Sequence, residues 1–99
     1  MSRTLLFRPQ VASDLAEAVE WYRTSRPGLE ANFYRDFQAT LAAIESNPLQ
    51  YQIIEGETRR AMLHRFPYGV MYVVSDHELL IVACLHARRN PARWRERLR

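Results

Sequence analysis

Apolar residues in the first half of the chain follow a helical period over two separate stretches. Residues 3–8 first predict a short strand, which ends at Pro9 because proline suits the first turn of a helix. Apolar side chains then recur every three or four positions over residues 11–22 and again over residues 29–44. The Arg-Pro-Gly sequence at residues 26–28 separates the two stretches, and so short a break predicts an antiparallel helical hairpin.

After the hairpin, which ends at residues 47–48, the apolar pattern changes to that of a β-sheet. Three strands are predicted, over residues 58–66, 70–75 and 78–86. They are joined by a turn or bulge at residues 67–69 and by a two-residue hairpin turn at residues 76–77. The last strand is an almost continuous apolar run, which predicts an inner position in the sheet.

A short basic helix is predicted at the C-terminus. Asn90 suits its cap and Pro91 its first turn. Trp94 and Leu98, four residues apart, fall on one side of this helix. They favour docking of the helix on the domain, although they could instead line a partner groove. The predicted fold is α+β, with an N-terminal strand, an antiparallel helical hairpin packed on an antiparallel sheet, and this basic helix.

Length and composition predict one cytoplasmic domain. The 99 residues are too few for two domains, so we expect residues 1–99 to form one. We expect no membrane segment, because no apolar run is long enough to cross a bilayer. Residues 1–10 do not resemble a signal peptide, because Pro9 interrupts the apolar patch. A single cysteine, Cys84, agrees with a reducing compartment.

The basic charge is all arginine and lies mostly in the second half of the chain. Residues 1–57 hold five arginines and eight acidic residues, whereas residues 58–99 hold nine arginines and three acidic residues. Codon usage in a GC-rich genome would explain the lack of lysine, but it would not explain this asymmetry. The second half is therefore where an anionic partner is expected to dock, and arginine suits bidentate contacts to phosphate or carboxylate.

Five segments together resemble the ParE branch of the RelE/ParE toxin superfamily. They are DLAEAVEWY at 14–22, RPGLE at 26–30, NPLQY at 47–51, RRAMLHRFPYGVMYVV at 59–74 and HARRNPARWRER at 86–97. The resemblance covers nearly the whole chain. It implies the toxin of a type II toxin–antitoxin pair, a plasmid stabilisation protein encoded beside its antitoxin. It also implies the same β-α-α-β-β-β arrangement.

The resemblance leaves two activities open. RelE-like members cut messenger RNA on the ribosome, whereas the ParE branch is associated with poisoning of DNA gyrase. RelE-like enzymes carry an essential arginine after the tyrosine that corresponds to Tyr68, and here that position is Gly69. Of two basic residues on the preceding strand only Arg60 is kept, since the second position is Met62. A basic residue after the last strand is kept as Arg88. These departures favour binding over cleavage.

An endoribonuclease stays the alternative, so whether the chain is an enzyme is left open. RNA cleavage needs an acid, a base and a cation to stabilise the phosphorane. If the chain is a nuclease, we expect His86, Arg60 and Arg88 to carry these roles. His86 could instead be structural, forming hydrogen bonds with the start of the terminal helix. No catalytic residue is assigned outside this alternative.

A binding surface is predicted from the arginine-rich half. Its residues are Arg59, Arg60, Arg65, Tyr68, His86, Arg88, Arg89, Arg93 and Trp94. Arg59 and Arg60 should point to opposite faces of a strand, and we expect Met62, His64 and Phe66 to share the face of Arg60. The antitoxin is expected to contact Trp21, Arg60 and Trp94. Asp14, Glu17 and Glu20 are assigned to the solvated side of the first helix.

The sequence as a whole favours a toxin that binds DNA gyrase. A cognate antitoxin would neutralise it with a disordered segment that folds along the hairpin and sheet. Nucleic acid or the ribosome is the other possible partner, and an inactive family member is a third possibility. No metal site or cofactor is expected, because three scattered histidines and one cysteine do not give ligand spacing.

Overall fold

The computed structural model describes residues 3–89 and 91–98. In chain order the elements are β1 Thr4–Phe7, α1 Gln10–Ser25, α2 Leu29–Ser46, a 3-10 turn Pro48–Gln50, β2 Ile53–Glu55, β3 Thr58–Met62, β4 Tyr68–Val74, β5 Glu78–His86 and α3 Pro91–Arg97. The α+β fold, the helical hairpin and the terminal helix are confirmed. The predicted cap Asn90, and Arg99, lie outside the described residues.

The helical hairpin begins and breaks where the sequence predicts. Pro9 already has helical angles, with φ −55° and ψ −33°, directly before α1. Arg26 is extended and ends that helix. Gly28 then has a φ of 98°, a left-handed conformation that costs a glycine little. Its amide donates to Oε1 of Glu30 at 2.7 Å, which fixes the start of α2.

The five strands form one mixed sheet in the order β1-β5-β4-β3-β2. The pairs β2–β3, β3–β4 and β4–β5 are antiparallel. The last two were predicted, whereas β2 was not among the predicted strands. The prediction of a wholly antiparallel sheet is wrong at β1, which runs parallel to β5. Strands β2, β3, β4 and β5 alternate in direction along the chain. Because β1 runs parallel to β5, the helical hairpin between β1 and β2 returns the chain in the direction opposite to that of β1.

The strands near the other sheet edge differ from the prediction. β2 has only three residues, Ile53–Glu55, too few for its period to be recognised. It pairs with β3 through a tight turn in which Gly56 has a φ of 55°. Tyr68 and Gly69 were predicted to lie in a turn, but they begin β4 because they pair with the end of β5.

The turn between β3 and β4 is held by a carboxylate of α2. The Asp36 carboxylate accepts hydrogen bonds from the backbone amides of His64 at 3.1 Å and Arg65 at 2.7 Å. β3 therefore ends at Met62 rather than at residue 66. The expectation that His64 continues the strand beside Arg60 is wrong for this reason.

The main core lies between the helical hairpin and one face of the sheet. Its aromatic centre consists of Tyr22, Phe33, Phe66 and Tyr68, whose ring centroids lie 4.8 to 6.0 Å apart. Phe66 belongs to this core, so the expectation that it shares a face with Arg60 is also wrong. Burial of these rings anchors the β3–β4 turn to both helices.

The sheet face turned away from the hairpin is called the open face here. Its apolar floor consists of Met71, Val82, Ala83 and Leu85. Trp94 and Leu98 of α3 pack against this floor, and both are only partly buried. The packing agrees with docking of the terminal helix on the domain.

Candidate binding surface

The outer edge of β5 is only half covered by β1. β1 pairs with residues 78–81, so the remaining backbone groups on that side need other partners. The Cys84 amide donates to Oδ2 of Asp14 at 3.1 Å, and Nη1 of Arg97 donates to the Val82 carbonyl at 3.4 Å. One side chain from α1 and one from α3 therefore complete the edge where a further strand would otherwise pair.

Asp14 and Arg97 form a buried ion pair that fastens α3 to α1. Arg97 donates to both carboxylate oxygens, at 2.6 and 2.8 Å, and Asp14 is only 2% exposed. Arg93, one turn earlier in α3, donates to Glu17 at 2.7 Å and lies 3.5 Å from Asp14. The hydrogen bond from Arg93 lowers the pKa of Glu17. Two arginines of the basic helix thus serve the fold.

The expectation that Asp14 is solvated is wrong, whereas Glu17 and Glu20 are exposed as expected. Asp14 lies three residues after Val11 and four before Ala18, and both of these are buried. This spacing places the carboxylate inside the apolar stripe of α1, which is a signal that the sequence does carry. A buried carboxylate needs a cationic partner, and α3 supplies it.

His86 organises the turn after β5. Its Nδ1 accepts hydrogen bonds from the backbone amides of Arg88 at 3.1 Å and Arg89 at 3.0 Å. Nδ1 must therefore be unprotonated, which places the proton of the neutral ring on Nε2. Burial, and then the charges of Arg89 and Arg88, lower the pKa of His86. A neutral histidine with one nitrogen committed to backbone amides fits the structural role considered for it.

The three residues of the nuclease alternative do not converge. His86 pairs with Tyr68 and its ring contacts the tyrosine ring on the hairpin side of the sheet, with centroids 5.3 Å apart. Arg60 pairs with Met71, which belongs to the open face. The sheet therefore separates the Arg60 side chain from the His86 ring, and Arg88 lies in the turn beyond the strand.

A small cleft brings several predicted binding residues together beside α1. Trp21 is 52% exposed, and the guanidinium carbon of Arg89 lies 4.5 Å from its ring centroid. The adjoining cavity, of about 50 Å³, is lined in part by Tyr68, His86 and Arg93. It has room for a few water molecules. The exposed Arg89–Trp21 stack is therefore a surface feature suited to docking.

Arg60 lies across β4 on the open face. A Cβ built on Gly69 would come within 2.7 Å of its Cδ and 2.9 Å of its Cγ. It would also come within 3.2 Å of the Sδ of Met62, which is 40% exposed. Arg60 forms no ion pair within residues 3–89 and 91–98. Arg60 itself is half-buried, with its stem lying against the backbone of β4.

The neighbouring predicted residues are placed differently. Arg59 points to the opposite face and donates to the carbonyls of Tyr51 at 2.7 Å and Leu49 at 3.3 Å. It thus connects β3 to the segment after α2 and serves the fold. Arg65 is exposed in the turn after β3, on a different part of the surface from the Arg89–Trp21 stack.

Residues 3–89 and 91–98 contain no group of three or more His, Cys, Asp or Glu side chains placed to hold a metal ion. Among the helices of this described part, none combines the length and the apolar character needed to span a bilayer.

Comparison with known proteins identifies the family. The family model for the ParE toxin of type II toxin–antitoxin systems, parDE, matches residues 5–91. The chain belongs to the ParE toxin family. A solved structure described as a chromosomal ParDE TA system from P. aeruginosa is similar to this ParE-family toxin, with a TM-score of 0.78. The similarity covers 88% of this chain and 98% of that chain at 16% sequence identity, so it speaks for the fold alone. A search of curated proteins finds no match.

Proposed function

We propose that this ParE-family toxin stops growth by binding DNA gyrase through its exposed arginines, in the cytoplasm, and that a cognate antitoxin neutralises it. The observation that carries the proposal is a division among the arginines of the second half. Arg59, Arg93 and Arg97 are engaged within the fold. Arg88 and Arg89 are exposed, and with Arg60 and Arg65 they form no ion pair within the described residues.

Binding is favoured over RNA cleavage by the groups available for chemistry. Gly69 stands where the resemblance places the essential arginine of RelE-like enzymes, and a glycine cannot stabilise a phosphorane. The lowered pKa of His86 leaves it a poor general acid, and its Nδ1 is already occupied. Arg60 lies across the sheet from it. An arginine surface without an acid–base pair is suited to docking on a large partner.

The antitoxin is expected to use apolar anchors together with arginines. Trp21 is exposed beside Arg89, and Trp94 is partly buried on the open face. An acidic amphipathic segment would satisfy both kinds of contact as it folds on the toxin. A toxin paired with an antitoxin in this way would stabilise the plasmid or genome segment that encodes them.

A gyrase supercoiling assay tests the proposal. Purified toxin is expected to stop supercoiling, and the triple variant Arg60→Ala, Arg88→Ala, Arg89→Ala is expected to lose most of this effect. The matched control replaces three arginines of residues 1–57, Arg3, Arg23 and Arg35, by alanine. The change in net charge is then the same as in the triple variant. This control should inhibit as the wild type does. Wild-type toxin without effect at large molar excess would contradict the gyrase target.

The nuclease alternative is tested in the same cells by primer extension on messenger RNA after induction. New 5′ ends that vanish with His86→Ala would overturn the binding proposal. Growth arrest without such ends is the expected result.

A further inference from the structure

We propose that the outer edge of β1 is a docking site for an extended acidic segment of the cognate antitoxin, which adds to the sheet as a further strand. The proposal rests on the proposed function for the existence of the antitoxin, but not on the cellular target of the toxin. Its basis is a row of backbone groups that β1 turns away from the sheet.

Alternate residues of β1 are hydrogen-bonded to β5. The amide of Thr4 donates to the His77 carbonyl at 2.9 Å, and the amide of Arg8 donates to the Ile81 carbonyl at 3.0 Å. The even-numbered residues of the strand therefore face β5, and the amides and carbonyls of residues 5 and 7 point to the other side. β1 is the first strand in the sheet order, so no strand of the described residues pairs with that side.

Two exposed apolar side chains lie along this edge. Leu6 is 38% exposed and Phe7 is 47% exposed, and as neighbours on a strand they point to opposite faces of the sheet. An edge that joins apolar side chains to unpaired backbone groups is a template for another strand. A helix has its backbone groups already paired, and a nucleic acid has none in this spacing. The edge therefore fits an extended peptide segment.

The charges at the ends of β1 favour an acidic segment over a second copy of the chain. Residues 3–13 contain Arg3 and Arg8 but no acidic residue. Neither arginine forms an ion pair within residues 3–89 and 91–98, and Arg8 lines a cavity of about 360 Å³ with room for an acidic side chain. Antiparallel pairing of two copies centred on Leu6 would bring Arg8 of each copy beside Arg3 of the other, where like charges repel.

A disordered segment of the antitoxin can supply such a strand, because its backbone groups are free before it binds. A folded partner would need a free sheet edge of its own. Acidic side chains near the ends of the segment would contact Arg3 and Arg8, and apolar side chains between them would cover Leu6 and Phe7. The same arginines that repel a second copy would thus select the acidic partner.

Amide hydrogen exchange, with and without the antitoxin produced from the neighbouring gene, tests the proposal. Exchange at Leu5 and Phe7 is expected to slow by at least about tenfold in the complex. Thr4 and Arg8 should change less, because their amides already donate to β5. Unchanged exchange at Leu5 and Phe7 in a complex that does form would overturn this proposal alone. Absence of any complex would overturn both this proposal and neutralisation by that antitoxin.

Two variants at one position isolate the backbone contact. Phe7→Pro removes the outward N–H and no hydrogen bond to β5, whereas the matched control Phe7→Ala loses the same ring but keeps the N–H. With both shown to be folded, Phe7→Pro should bind the antitoxin about tenfold more weakly than Phe7→Ala. Equal binding by the two folded variants would overturn strand addition, and if Phe7→Pro does not fold, the exchange at Leu5 and Phe7 decides.

The acidic character of the segment and the choice of partner are tested separately. Arg8→Gln should weaken antitoxin binding about tenfold, and Arg8→Lys, which keeps the charge, should retain most of it. Unchanged affinity of Arg8→Gln would overturn the acidic contact. Sedimentation equilibrium of the toxin alone should show a monomer, and self-association of the wild type that Phe7→Pro abolishes would overturn the antitoxin as the occupant of this edge.

Discussion

Replacing Asp14 by asparagine should loosen the C-terminal helix and destabilise the whole domain. The asparagine keeps the shape of the side chain but removes the charge that accepts two hydrogen bonds from Arg97, at 2.6 and 2.8 Å. Removing one partner of a buried ion pair costs about 3–5 kcal/mol of unfolding free energy. One amide oxygen can still accept from the Cys84 amide, so we expect a loss of about 3 kcal/mol. Small domains are stable by only about 5–15 kcal/mol in total.

Urea unfolding followed by tryptophan fluorescence measures this loss. The matched control is Glu17→Gln, which removes the exposed partner of Arg93 and should cost at most about 1 kcal/mol. Arg97→Met, combined with Asp14→Asn, should cost less than the sum of the two single changes, because neither charge is then left buried alone. The reasoning is refuted if Asp14→Asn costs no more than the Glu17 control.

Three further predictions follow from contacts of single side chains. The folded state lowers the pKa of His86, so the contribution of this residue to stability is complete above about pH 6.5 and is lost as the pH falls below that value. The difference in unfolding free energy between the wild type and His86→Gln should therefore shrink from pH 8 to pH 5. A constant difference would contradict this. Burial raises the pKa of Cys84 to about 12. A thiol reagent should therefore label the folded chain at least about a hundredfold more slowly than the urea-unfolded chain. Similar labelling rates would contradict the burial of Cys84. Arg59→Met should cost about 1–3 kcal/mol in urea unfolding, since it removes the hydrogen bond to the Tyr51 carbonyl, while growth arrest per folded molecule should be unchanged.

The elements with a strong period were predictable from the sequence, and the irregular ones were not. The two helical stripes and the apolar run of β5 each extend over several turns or residues, so the pattern identifies them. β2 has three residues, and the parallel pairing of β1 depends on long-range topology rather than on local pattern. The early end of β3 depends on Asp36, which lies 28 residues before His64 in sequence.

The sequence predicted which arginines form the candidate surface, but not which of them bind within the fold and which remain available to a partner. The alternation of a strand predicts that Arg59 and Arg60 point to opposite faces, but it does not predict that Arg59 donates to backbone carbonyls. The same holds for Arg93 and Arg97, whose partners are acidic residues of α1. Asp14 could have been found from its place in the buried stripe. Which arginines remain for a partner depends on these contacts.

Trapping of the cleaved gyrase–DNA complex is the most direct measurement of docking by Arg60, Arg88 and Arg89. The amount of covalent gyrase–DNA complex should rise in proportion to the concentration of wild-type toxin. The triple variant Arg60→Ala, Arg88→Ala, Arg89→Ala should need at least about a tenfold higher concentration to trap the same amount. Equal trapping by the wild type and the triple variant, each shown to be folded, would contradict the account.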